Sequence, residues 1–222
     1  MIEISQFTVK NLLVQEIRKE IICSNFVPGE RLPLRDLAAR FNVSTQPIRE
    51  ALSELEKEGL VTSEPRKGAV VTKLSTDELQ DIYEVRATLE AMATELAIPH
   101  LTAGILTKLG DLVQQMDDHI DDIFESVELN TRFHLTLYQA SKRSHLCELI
   151  QSLRHRTSHY LHAYIVGQNR MVLAQDEHLK IIDACRSDDA LTAKRLMHEH
   201  VLKAGKGIID YIKSKQTEES NH

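Results

Sequence analysis

Asp36-Leu37-Ala38-Ala39-Arg40-Phe41-Asn42-Val43-Ser44-Thr45-Gln46-Pro47-Ile48-Arg49-Glu50-Ala51-Leu52 is the stretch on which the fold of this chain turns. It reads as two short helices joined by a tight turn. Leu37, Ala38 and Phe41 make one apolar stripe, and Ile48, Ala51, Leu52 and Leu55 make a second at helical spacing. Between them, Asn42 is suited to the left-handed conformation that closes a helix, and Ser44 or Thr45 to capping the next. Pro47 falls in the first turn of that next helix, where a missing N–H leaves no hydrogen bond unmade. The pattern is a helix-turn-helix whose second helix presents Thr45, Gln46 and Arg49 outward.

Working outward, Val9, Leu12, Leu13, Ile17 and Ile21 predict a first helix to about Ser24, broken by Pro28-Gly29. Gly59 closes the third helix. Leu60–Glu64 and Ala69–Thr72 then read as two short strands about the turn Pro65-Arg66-Lys67-Gly68. Residues 1–73 are therefore expected to form a winged helix. Its turn carries two cations and a glycine, which suits close approach of backbone to phosphate or minor groove.

These residues resemble the GntR family of bacterial transcription regulators. The likeness rests on Pro28-Gly29-x-x-Leu32, Leu37-Ala38, Val43-Ser44, Pro47-Ile48-Arg49-Glu50-Ala51-Leu52, Glu58-Gly59-Leu60-Val61 and the basic turn at Gly68. It implies operator contacts from Arg35 and Arg49, with Arg49 suited to a bidentate guanine contact and Gln46 to adenine or phosphate. Ser44, Thr45, Arg66, Lys67 and Gly68 complete the expected DNA face. Thr45 departs from the many relatives that carry Arg after the Ser. A short hydroxyl does not reach two guanine acceptors, so a different operator preference is expected.

Charge is divided unevenly. The net charge is −6, yet residues 1–74 carry 11 Lys/Arg against 10 Asp/Glu, and residues 75–222 carry 16 against 23. DNA affinity must therefore come from a local patch and not from bulk charge. All 11 histidines lie at or after position 100. Cys23, Cys147 and Cys185 are isolated, without a Cys-x-x-Cys, and read as buried thiols of a cytoplasmic protein. No apolar run approaches the ~18 residues of a membrane span, and no signal-peptide pattern is present.

Beyond the linker Lys73-Leu74-Ser75, helical periods continue with no strand alternation. Ser75 and Glu78 form a capping-box pattern opening a helix to about Ile98. Further helices are expected over 102–118, 126–142, 145–166, 171–186 and 189–213. The last is capped by Ser187 or Asp188, and residues 215–222 read as a polar, frayed tail. The stripe of Leu146, Leu149, Ile150 and Leu153 reads as core. The chain is thus expected to be mainly α: a winged helix (1–73), then an all-α bundle (74–214).

That order, with Arg86-x-x-Leu89-Glu90, Asn130-x-x-Phe133-His134, Asp176-Glu177-His178 and Met197-x-x-His200, resembles the FCD branch of the same family. Asn130 and His134 share one helix face at i, i+4, and His178 and His200 lie on later helices. Three imidazoles and one oxygen ligand suit a divalent ion such as Zn or Ni. The resemblance implies a metal site at Asn130, His134, His178 and His200 in a cavity that also admits a small carboxylate. Arg86 is a second anchor for the acid, or else the partner of Glu90 in a buried ion pair. Asn130 supplies no negative charge, which weakens metal affinity unless an acid such as Asp176 compensates. His155, His159 and His162, at i, i+4, i+7, read as a solvated or dimer-facing stripe.

The leading expectation is a ligand-responsive regulator of a bacterial metabolic operon, a homodimer on an inverted repeat of double-stranded operator DNA. Two rivals remain at this stage: a metalloenzyme using the three histidines, and a regulator for which the ion itself is the signal. No paired general base accompanies the histidines, so no enzyme is expected.

Overall fold

The computed structural model describes residues 9–119, 121–168 and 171–220. Residues 1–8 of the expected first domain, and 221–222 of the expected tail, lie outside them. Two compact units part between Leu74 and Ser75.

The first unit holds α1 (Val9–Ile22), α2 (Leu34–Arg40), α3 (Thr45–Lys57), β1 (Val61–Glu64) and β2 (Gly68–Val71). Asn42 has a φ of 52° and Gly59 a φ of 79°, so both helix ends close in the left-handed region. Ile17, Ile21, Ile48, Ala51, Leu55 and Leu60 are wholly buried and join the three helices into one core with Val71. The strands pair antiparallel from Val61↔Val71 to Glu64↔Gly68. One feature was not foreseen: the segment after Pro28-Gly29 lies along β2. Leu32 N donates to Ala69 O at 2.8 Å, and Val71 N to Glu30 O at 2.9 Å. The wing is thereby tied to the chain that precedes α2.

The second unit holds α4 (Thr76–Ala97), a 3₁₀ turn (Ile98–His100), α5 (Ala103–Asp118), α6 (Ile123–Gln139), α7 (Ser144–Gln168), α8 (Met171–Arg186) and α9 (Ala190–Ser220). The capping box at Ser75 and Glu78 is formed in both directions. α4 packs on α9, α7 and α6, and α8 closes against α5 and α9.

Several helix ends differ from expectation, α6 among them at both ends. α6 starts at Ile123 and not at 126, because the Asp122 carboxylate accepts from Glu125 N. α9 is capped by Asp189, which accepts from Thr192 N, and not by Ser187 or Asp188. It also runs on to Ser220, through the stretch expected to be a frayed tail. Lys215–Glu218 at i, i+3 and the Thr217 hydroxyl on Lys213 O support that extension. Of the leucine stripe, Ile150 is core but Leu149 is 58% exposed. Of the thiols, Cys185 is buried, whereas Cys23 and Cys147 are half-buried. Among the described residues no helix is long and apolar enough to cross a membrane.

Candidate functional site

In the first unit the polar chemistry is on the outside. Arg35 sits in the first turn of α2, while Thr45, Gln46 and Arg49 rise from α3, all exposed. Arg35, Thr45, Arg49, Lys67 and Gly68 line one open cleft between α2, α3 and the wing, together with the acids Asp36 and Glu56. Ser44, Gln46 and Arg66 are exposed but do not line it. Ser44 takes the N-cap position of α3, yet its side chain makes no capping hydrogen bond, which leaves the hydroxyl for other use. Gln46 donates to Glu50 at 2.8 Å.

Among the described residues neither Arg35 nor Arg49 carries an ion pair. Glu54, a possible partner for Arg49, is engaged by Lys10 and Lys57. At the wing tip Arg66 has a φ of 68° and Gly68 a φ of 77°. Arg31 Nε donates to Lys67 O at 3.1 Å. Arg31 is thus an exposed cation that buttresses the wing, and sequence reasoning missed it although it lies inside the Pro-Gly-x-x-Leu pattern.

In the second unit the polar chemistry is inside. His134 on α6, His178 on α8 and His200 on α9 converge, with one nitrogen from each lying within 4.8 Å of the others. His134 and His178 are 1% exposed, and His200 is 9% exposed. Asn130 is half-buried and lines the same cavity, one turn from His134. The four residues singled out from sequence therefore meet at one place.

Their surroundings decide what they can do. The Tyr138 hydroxyl donates to Glu90, so the Nδ1 of His134, 2.9 Å from that hydroxyl, must be the donor to it. This fixes the tautomer and leaves the Nε2 lone pair toward the cluster. His200 Nδ1 lies 2.7 Å from the Glu177 carboxylate, which turns its Nε2 inward in the same way. His134 Nε2 and His178 Nε2 are 3.4 Å apart, a separation at which two lone pairs repel unless a proton or cation lies between them. His178 Nδ1 is buried without a hydrogen-bond partner among the described residues.

Burial pushes His134 and His178 well below the ordinary imidazole range, and the nearby cations add to it, so both are neutral near pH 7. Neutral, oriented imidazoles are what a divalent transition metal requires. The donor set fits Zn or Ni.

Around the histidines lies a buried ionic network. Arg86 Nε donates to Glu90 Oε1 at 2.8 Å and Arg86 Nη1 to the Thr157 hydroxyl at 2.9 Å. Arg154 Nη1 donates to Glu90 Oε2 at 3.0 Å. Burial alone would raise the Glu90 carboxyl, but Arg86 and Arg154 outweigh it and hold it below the usual range. Two guanidinium ions face one carboxylate here, so the buried network keeps an excess positive charge. Arg86 is the ion-pair partner of Glu90, one of the two roles expected of it, although it also lines the cavity.

The cavity has a volume of about 90 Å³. Tyr83 and Tyr164 form part of its wall by lying close against the backbone of α9 at Gly205 and Gly207. Two expectations need correcting. Asp176 is exposed and does not line the cavity, whereas its neighbour Glu177 does, paired with His200 and Lys203. His159 and His162 are 3% and 8% exposed, not a solvated or dimer-facing stripe. Helix α7 packs against α4, α6 and α9, and that enclosure removes both rings from water. Arg154 and Gln175 were missed as cavity residues, and Tyr138 as the support behind His134, because only packing brings α4, α6, α7 and α8 together.

Residues 10–71 match the bacterial regulatory proteins, gntR family, and residues 81–203 match the FCD domain. The chain is 31% identical over 204 residues to the uncharacterized HTH-type transcriptional regulator YdhC of Bacillus subtilis, spanning 86% of this chain and 91% of that protein. It is 32% identical over 197 residues to the Nta operon transcriptional regulator of Aminobacter aminovorans, spanning 87% and 91%. Its fold is similar to that of E. coli McbR/YncC, with a TM-score of 0.79 over 94% of this chain and 100% of that one, at 22% identity.

Proposed function

The chain belongs to the GntR family as a transcription regulator with an FCD domain, and we propose that its helical unit senses a small organic acid at a divalent metal site. The family's members are regulators, and the chain is not an enzyme.

In this reading, α3 and the wing bind operator DNA. Arg49 contacts a base edge or phosphate, Arg35 and Lys67 neutralise phosphate, and Gly68 lets the wing backbone approach. One winged helix offers few base contacts, so a homodimer on an inverted repeat is the arrangement that gives adequate discrimination. His134, His178 and His200 hold the ion, with Asn130 supplying an amide oxygen. The bound ion would act as a Lewis-acid anchor for an oxyanion. Tyr138 and Glu177 keep two imidazoles in the ligating tautomer, and the excess positive charge beside Glu90 favours an anionic occupant. Regulation follows by linkage: the acid acts only to the extent that it binds the DNA-competent and incompetent states unequally.

The observation that carries this reading is the convergence of three buried imidazoles, two of them oriented from behind by hydrogen bonds. The test is elemental mass spectrometry of untagged protein beside a His134→Ala, His178→Ala double variant. About one ion per chain in the wild type and none in the variant is the expected result. Absence of bound metal after incubation with Zn²⁺ or Ni²⁺ removes the metal from the proposal.

A further inference from the structure

We propose that Arg154 and Gln175, and not Arg86, grip the carboxylate of the effector. The inference rests on reading the helical cavity as the acid-binding site.

Arg86 and Arg154 both line the cavity and both bond to Glu90, but they present different edges. Arg86 uses Nε on Glu90 and Nη1 on Thr157, so neither of its two-pronged edges is intact. Arg154 uses only Nη1. Its Nε is buried and has no hydrogen-bond partner among the described residues. The Nε–Nη2 edge left over is the fork that takes both oxygens of a carboxylate.

A second donor waits on the next element. Gln175 is one turn before His178 on α8, hence on the same helix face. It lines the same cavity, and its Nε2 is likewise buried without a partner among the described residues. Each side chain is 6% exposed.

Burying an N–H with nothing to accept it is unfavourable, and more so for a charged group. Two such donors in one wall, beside an excess positive charge, specify an occupant with acceptor oxygens and a negative charge. A cavity of about 90 Å³ keeps that occupant small. The apolar wall of Met116, Leu161, Ile165 and Val201 favours a short tail over a polyhydroxylated one. The ligand class is a compact monocarboxylate.

The test measures binding of acetate and of lactate by titration calorimetry, to wild type, Arg154→Lys and Gln175→Met, with and without Zn²⁺. Arg154→Lys keeps the charge and removes the fork. Gln175→Met keeps the shape, removes the donor and leaves Glu90 paired, so it reports even if Arg154→Lys folds poorly. Both are expected to weaken the bound acid by about tenfold or more. In the wild type, the side-chain amide signal of Gln175 should shift on addition of acid. Binding by wild type with unchanged affinity in either variant overturns this inference and leaves the sensing cavity standing. If wild type takes neither acid, with or without the ion, the inference and the reading beneath it fail together.

Discussion

The two units of this chain handle the same kind of residue in opposite ways. In the winged helix, arginines stand outside an apolar core: Arg35 and Arg49 are exposed, while Ile17, Ile48 and Leu55 fill the interior. In the helical unit two arginines lie in the interior, Arg86 and Arg154, each 6% exposed around a fully buried Glu90. An exposed cation adds little to stability and is free to meet a polyanion. A buried one must be matched within the protein or by a ligand. Substitution in the two places should therefore separate binding from folding.

The sharpest contrast is expected at Glu90. Glu90→Gln leaves two buried guanidinium groups without their carboxylate, which should destabilise the helical unit by about 3–5 kcal/mol. Urea denaturation of wild type and variant measures it. A loss below 1 kcal/mol would mean that water or an anion already balances the network.

The buried histidines add a pH dependence of one sign. Burial lowers His159 from 6.5 to about 4, and neither of its nitrogens has a hydrogen-bond partner among the described residues. The unfolded chain binds the proton first, so stability present above about pH 6.5 is lost as pH falls toward 4. The share from His159 is on the order of 3 kcal/mol. Melting of His159→Leu across that range should show a shallower slope, and an unchanged slope would place the proton elsewhere.

On the exposed side the expectation reverses. Arg49→Ala should weaken binding to a specific operator by about 1–3 kcal/mol while leaving urea stability within about 0.5 kcal/mol. Fluorescence anisotropy and denaturation of one preparation test both halves. The smallest contrast compares two N-cap serines. Ser75 is bonded in its capping box and Ser44 is not. Ser75→Ala should therefore cost about 1 kcal/mol and Ser44→Ala close to nothing in stability. An appreciable cost at Ser44 would show that its hydroxyl caps α3 in solution.

The same division explains what was legible in the sequence. Asn42, Gly59 and the pair Ser75 and Glu78 act on neighbours within four residues, so spacing alone reveals them. Arg49 is exposed because its helix face is fixed by the local apolar stripe. The histidines could be singled out, but their supports could not. Tyr138 matters because it stands between His134 and a carboxylate 48 positions earlier, and Arg154 because it meets Glu90 across 64 positions. Such pairs have no period to read. Errors at helix ends had a local origin: three acidic or hydroxyl residues in a row, Ser187, Asp188 and Asp189, compete for one cap, and only the backbone chooses Asp189.

The glycines of α9 carry a warning for protein engineering. Gly205 and Gly207 sit inside a long helix, where replacement by alanine ordinarily gains about 1 kcal/mol in helix propensity. A stabilisation campaign guided by propensity would choose them early. At Gly205 the added methyl would run into Cβ and Cγ of Tyr83, atoms too near the main chain to swing aside. At Gly207 it would meet the hydroxyl and the ring of Tyr164, a side chain only 9% exposed. Two substitutions that propensity favours should both disturb the packing of Tyr83 and Tyr164 against α9.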